Sequence, residues 1–216
     1  MRDEELFYLN LIPTDVRKKL YQILYVGVEA YNGVLNENPQ IKNSKFFTNI
    51  KTRLLTFLIF RQFEEDQLSK EFPLKVDIDK VNNFGYTALM LSNKKIRLSL
   101  SKTSKGSKLP NDSKYRIKQS ANNSKYENQI RFNLDGIGNT TEESPTYFIL
   151  GFGVSGKDLR HLNLLMPDTK MKLTLANVDL LQEYNSWIVN NDEDEYVEKQ
   201  ITSMKQEGMR ILTNER

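Results

Sequence analysis

The stretch Tyr147 to Asp168 reads YFILGFGVSGKDLRHLNLLMPD. Gly151-Phe-Gly-Val-Ser-Gly156 matches G-x-G-x-x-G and follows an apolar run, as a dinucleotide-binding turn does. Such a turn needs a long helix behind it, whose N-terminus holds the pyrophosphate, and an acid about 20 residues further on. Here only Lys157 to Met166 precede Pro167, and they alternate as a strand does, with Leu162, Leu164 and Met166 on one face. The stretch therefore predicts a β-hairpin turning at Ser155-Gly156-Lys157-Asp158. Gly151 and Gly153 then share a strand face on which a neighbour packs closely.

Working outward, the segments PLKVDID, GYTALMLSN and KKIRLSLSK, from Pro73 to Lys102, have the same period of two. Asn82-Asn83 and Asn93-Lys94 supply turns, so a meander of antiparallel strands is expected. Further strands are expected at NQIRFNLD (128–135), TYFILGFGV, LRHLNLLMP and KMKLTLA (170–176). Between them, Asp112 or Ser113 can cap a short helix that runs to about Ser120.

Helices flank this region. After Pro13, Thr14 can cap a helix with apolar positions Val16, Leu20, Ile23, Leu24 and Val28, ending near Tyr31, where NGVLNENPQIKN breaks the pattern. A second is expected from Asn43 or Ser44 through Phe47, Ile50, Leu54, Leu58 and Phe63 to about Leu68. Its middle is apolar on nearly all sides, as a central core helix would be. The chain closes with helices at 178–189, where Tyr184, Trp187 and Ile188 pack on the sheet, and at 196–209. Helices, then strands, then helices predict an α+β fold with a mostly antiparallel sheet, in a single domain spanning 1–216.

Composition excludes several chemistries. The chain has no cysteine, which removes disulfides, thiolate metal sites and cysteine nucleophiles and fits a reducing cytoplasm. Its single histidine, His161, rules out multi-histidine metal sites within one chain, and no G-x-S-x-G elbow accompanies it. A surface or half-buried position without a catalytic role is expected for it. MRDEELFYLNLIP carries acids where an export signal needs basic residues. The most apolar run, Leu54 to Phe60, is far shorter than the roughly 20 residues that span a bilayer, so no membrane partner is expected.

Charge is the informative feature. From Lys94 to Lys125 there are ten basic residues against one acid, Asp112, a local +9 in a chain of net charge +3, leaving −6 for the remainder. These are Lys94, Lys95, Arg97, Lys102, Lys105, Lys108, Lys114, Arg116, Lys118 and Lys125. With Arg131 they make a segment that attracts phosphates, and Tyr115 and Tyr126 could add base stacking. The same lysines also suit a solvated loop.

Acidic candidates are weaker. The (D/E)-x-K pattern of nucleases occurs at Asp112-Ser-Lys114 and Asp168-Thr-Lys170, but about three matches arise by chance in such a composition. Asp77 and Asp79, two apart on a strand, point to one face and could share Mg²⁺ with Glu64 or Glu65. The run Asp192-Glu-Asp-Glu195 suits the N-terminus of the last helix through its dipole, or docks on the basic segment of another copy in a homo-oligomer.

The run from SKYR through NQIRFNLD to YFILGFG and LNLLMP resembles uncharacterised proteins of low-GC bacteria and their phages. The resemblance implies a phage or mobile-element source and says nothing about chemistry. Three functions stay open. The first is a cytosolic nucleic-acid-binding protein, for DNA or RNA, acting through 94–131 without catalytic residue, cofactor or metal. The second is a protein-interaction module, an inhibitor or adaptor of a host defence or replication protein. The third is a Mg²⁺-dependent nuclease.

Overall fold

A computed structural model describes residues 10–64, 67–68, 72–81, 87–131, 144–155 and 158–188. The architecture is α+β, with helices first, a six-stranded sheet in the middle and a helix after it. The chain groups into two compact units. One comprises 1–17, 73–153 and 160–182, the other 18–72, 154–159 and 183–216.

Helix α1, Thr14–Glu37, opens with the Arg17 amide donating to the Pro13 carbonyl. Thr14 is its first residue rather than its cap, and the Thr14 hydroxyl accepts from the Arg17 guanidinium. The helix passes the expected stop at Tyr31, because Val34 continues the row of buried Leu20, Leu24 and Val28. The break comes at Asn38, whose side chain donates to the Val34 carbonyl, and at Pro39, which starts the short helix α2, Pro39–Asn43.

Helix α3, Thr48–Arg61, buries Leu54, Leu55, Leu58 and Ile59. Its apolar circumference is only partly covered, since Ile50 (46% exposed) and Phe57 (36%) face solvent. Helices α1 and α3 meet backbone to backbone at Gly27, where an added Cβ would stand 2.8 Å from the Ile59 Cα.

Strands β1 (Lys75–Lys80), β2 (Thr87–Ser92) and β3 (Ile96–Lys102) form the expected antiparallel meander. The Asn93 side chain accepts from the amides of Lys95 and Ile96, closing the β2–β3 turn. Strands β4 (Thr146–Ser155), β5 (Asp158–Pro167) and β6 (Thr174–Asp179) continue the sheet in chain order. β5 and β6 are antiparallel.

The β3–β4 pair departs from expectation. These strands run parallel, with Ile96 opposite Thr146 and Lys102 opposite Phe152. A parallel pair needs a crossover, whose described residues include α4 (Lys114–Ser120), a 3₁₀ turn (Ala121–Asn123) and α5 (Ser124–Arg131). Residues 128–131 are therefore helical rather than the start of a strand, and 132–135 lie outside the described residues. The segment 170–173 is likewise a turn. The Asp168 carboxylate accepts from the Lys172 and Leu173 amides, and Met171 takes a φ of 57°. Val178 belongs to β6, and the following helix α6, Leu180–Ile188, starts two residues later than expected.

On one sheet face Met90, Tyr147, Ile149 and Leu165 form a buried cluster with Met171, against which Leu109 and Tyr115 pack. The alternate residues Leu91, Leu98, Phe148, Leu150 and Leu164 are also buried, so the middle strands are covered on both faces.

Candidate nucleic-acid interface

The basic segment is built around the β3–β4 crossover. Ser113 caps α4, its hydroxyl accepting from the Arg116 amide at 3.2 Å. Capping fixes the helix register and leaves two kinds of position. Tyr115 and Arg116 reach inward to the sheet, while Lys114 and Lys118, four apart, are exposed together on the outside.

Each of the inward groups has a partner, although the buried Nε of Arg97 has none of its own. The Tyr115 hydroxyl donates to the Asp79 carboxylate at 3.1 Å, and the Arg97 guanidinium donates to the same oxygen at 2.5 Å. Burial first, then the Asp79 charge, pushes the Tyr115 hydroxyl far above its ordinary range. Arg116 donates to the Asn111 carbonyl at 2.7 Å and to the Ser101 hydroxyl at 3.1 Å. Beside them the Ser99 and Tyr147 hydroxyls are 2.7 Å apart, and burial raises the Tyr147 pKa.

Further along, the Asn123 side chain bonds both the amide and the carbonyl of Tyr147 and the carbonyl of Pro167. Tyr126 is 4% exposed, with its hydroxyl 2.7 Å from that of Thr146. Arg116 lies at the C-terminal end of β3 and Asn123 at the N-terminal end of β4, so the crossover runs back along both strands.

The lysines follow that path on the outside. Lys102, Lys105 and Lys108 lie at and beyond the C-terminal end of β3, and Lys114 and Lys118 lie on α4. Lys94 and Lys95 lie in the turn at the other end of β3. Lys125 belongs to that second end. Its ammonium donates to the Ser144 carbonyl and sits 5.2 Å from the centre of the Tyr126 ring. From Lys95 to Lys102 the strand extends about 23 Å. Among the described residues, none of Lys94, Lys95, Lys102, Lys105, Lys108, Lys114 and Lys118 has a carboxylate within 4.0 Å. The side chain of Arg131 lies outside the described residues.

Eleven of the twelve basic-segment candidates thus divide into an outer set of eight lysines and an inner group of Arg97, Tyr115 and Arg116. Stacking by Tyr115 or Tyr126 does not fit this arrangement, because both rings are turned into the protein. Sequence reasoning missed the groups that seat the crossover on the sheet: Ser99, which meets the Tyr147 hydroxyl, Ser101, which accepts from Arg116, Asn123, which bonds the Tyr147 backbone, and Thr146, which meets the Tyr126 hydroxyl. The alternating serines of IRLSLSK were the available signal, since they mark one polar face of β3.

The acidic candidates have internal duties. Asp79 is held by Arg97 and Tyr115, and Asp77 pairs with Lys75 at 2.6 Å. Asp112 pairs with Lys172 at 3.0 Å, and Asp168 closes its own turn. Among the described residues no three acidic or histidine side chains gather into a group that could hold a metal. Glu65 and Asp192 to Glu195 lie outside the described residues.

The G-x-G-x-x-G stretch is strand through Ser155, and Gly156 lies outside the described residues. The close neighbour expected at its glycines is His161 over Gly153, where a Cβ would overlap the imidazole ring. Leu165 and Thr103 cover Gly151 at 3.1 Å from such an atom. His161 is half-buried, with Nε2 2.8 Å from the Thr103 hydroxyl. Burial lowers its pKa and Arg160 adds to this, against an opposing pull from Asp179.

Neither family models, curated proteins nor solved structures match this chain. No helix among the described residues is long and apolar enough to cross a membrane.

Proposed function

We propose that this α+β protein binds nucleic acid in the cytoplasm through the outer lysines of the crossover, Lys102, Lys105, Lys108, Lys114 and Lys118, with Lys94, Lys95 and Lys125 at its far end. The observation that carries the reading is that seven of these eight ammonium groups are exposed without a carboxylate partner among the described residues. A row of uncompensated cations binds phosphates by releasing their counterions. Fluorescence anisotropy with labelled DNA and RNA at low salt tests it. Binding that weakens steeply with added salt is the expected result, and no binding to any of them overturns the reading.

One observation favours a second reading, a protein-interaction module. Phe46 (94% exposed), Ile50 and Phe57 recur at helical spacing on α3 and the turn before it, beside exposed Lys42, Lys45 and Arg53. An exposed apolar row rimmed by cations suits an acidic, apolar protein segment. Loss of a captured host protein on Phe46→Ser, with nucleic-acid binding unchanged, would assign partner binding to this row.

A further inference from the structure

We infer that the lysine row takes double-stranded rather than single-stranded nucleic acid, and takes it without regard to sequence. This rests on the nucleic-acid reading above and names the substrate class of the same surface.

Single-strand binding draws on aromatic rings over which bases stack, each worth about 1–3 kcal/mol. The segment 94–131 has two aromatic residues, Tyr115 and Tyr126. Tyr115 packs on the Met90–Tyr147–Ile149–Leu165 cluster with its hydroxyl on Asp79. Tyr126 is 4% exposed under the Lys125 ammonium. Neither ring is offered to a base.

Sequence reading draws on arginine, whose planar fork meets guanine through two parallel bonds. The segment's two arginines with described side chains are both committed. Arg97 is on Asp79, and Arg116 is spread between the Asn111 carbonyl and the Ser101 hydroxyl. Among the described side chains, the cations that remain outside are lysines, point charges that contact phosphate and carry little directional information.

The outer lysines are also spread along the crossover rather than clustered. The strand beneath them extends about 23 Å, the rise of roughly seven base pairs at 3.4 Å each. A rigid duplex presents a regular line of phosphates over that length. A flexible single strand pays to be straightened along it and gains no stacking in return.

Anisotropy titrations with two short duplexes of unrelated sequence, and with each of their strands alone, test the inference. The expected result is equal affinity for the two duplexes and affinity about tenfold or more weaker for the single strands, whose lower charge density releases fewer counterions per contact and which gain no stacking to offset it. Single strands bound as tightly as duplex, or one duplex preferred about tenfold over the other, would overturn the inference and leave the nucleic-acid reading standing. No binding to any of the oligonucleotides would remove both. Lys114→Glu with Lys118→Glu serves as the control that the measured binding belongs to this surface, because both residues are exposed and the double variant retains the Ser113 cap.

Discussion

The guanidinium of Arg97 on β3 donates to the carboxylate of Asp79 on β1 at 2.5 Å, across the intervening strand β2. The pair turns an arginine of the basic segment away from solvent, and Tyr115 from α4 joins it on the same oxygen. The contact therefore ties the edge of the meander to the crossover helix that carries Lys114 and Lys118.

Asp79→Asn leaves Arg97 without its counter-charge in a site where the two side chains are 32% and 25% exposed. Partial exposure limits the cost, so a loss of about 1–2 kcal/mol is expected in urea unfolding. Adding Arg97→Met should cost less than the sum of the two single losses, because the stranded charge is gone. Additive losses would show that the pair is not coupled.

Gly153→Ala places a methyl group in the His161 ring. The strand is buried at this point, so a loss of about 1–3 kcal/mol is expected. His161→Ala in the same chain should recover most of it, since it empties the volume the methyl needs. Equal losses with and without the histidine would contradict the packing described for this pair.

The folded-state pKa of His161 lies below its ordinary 6.5, mainly through burial. The unfolded chain then binds its proton more readily, so stability is full above about pH 6.5 and falls as the pH drops through the window below that value. His161→Gln removes this contribution. Thermal melts between about pH 8 and pH 5 should show a shallower decline for the variant, and parallel declines would contradict the assignment.

Much of the α+β layout is readable from residue patterns, and its failures have physical causes. The meander is legible because each strand alternates and Asn93 closes a turn with its own side chain. The α4 cap is legible because Ser113 precedes a run without Gly or Pro. The parallel pairing of β3 with β4 is not. Both strands are buried on both faces at their centres, and such runs carry no mark of direction.

Residues 128–131 misled for a related reason. Ile130 and Phe132 alternate with polar neighbours, yet the backbone continues the helix that Ser124 begins. The end of α1 is not legible because Asn32-Gly33 reads as a breaker, whereas burial of Val34 carries the helix on to Glu37.

At the candidate site the cations were legible as a cluster in sequence. Which of them face outward was not. That depends on Asp79 and Ser101, 18 and 15 residues from the arginines they hold, which only the fold brings to Arg97 and Arg116.

Under the proposed function the outward lysines, and not the inward arginines and tyrosines, carry binding. The most direct measurement is the salt dependence of duplex-DNA affinity for the native chain and for the Lys114→Glu, Lys118→Glu variant. Each phosphate contact contributes about 0.9 to the slope of log affinity against log salt. A clear negative slope for the native chain, reduced by about 2 in the variant, is the expected result. An unchanged slope and affinity in the variant would contradict the account.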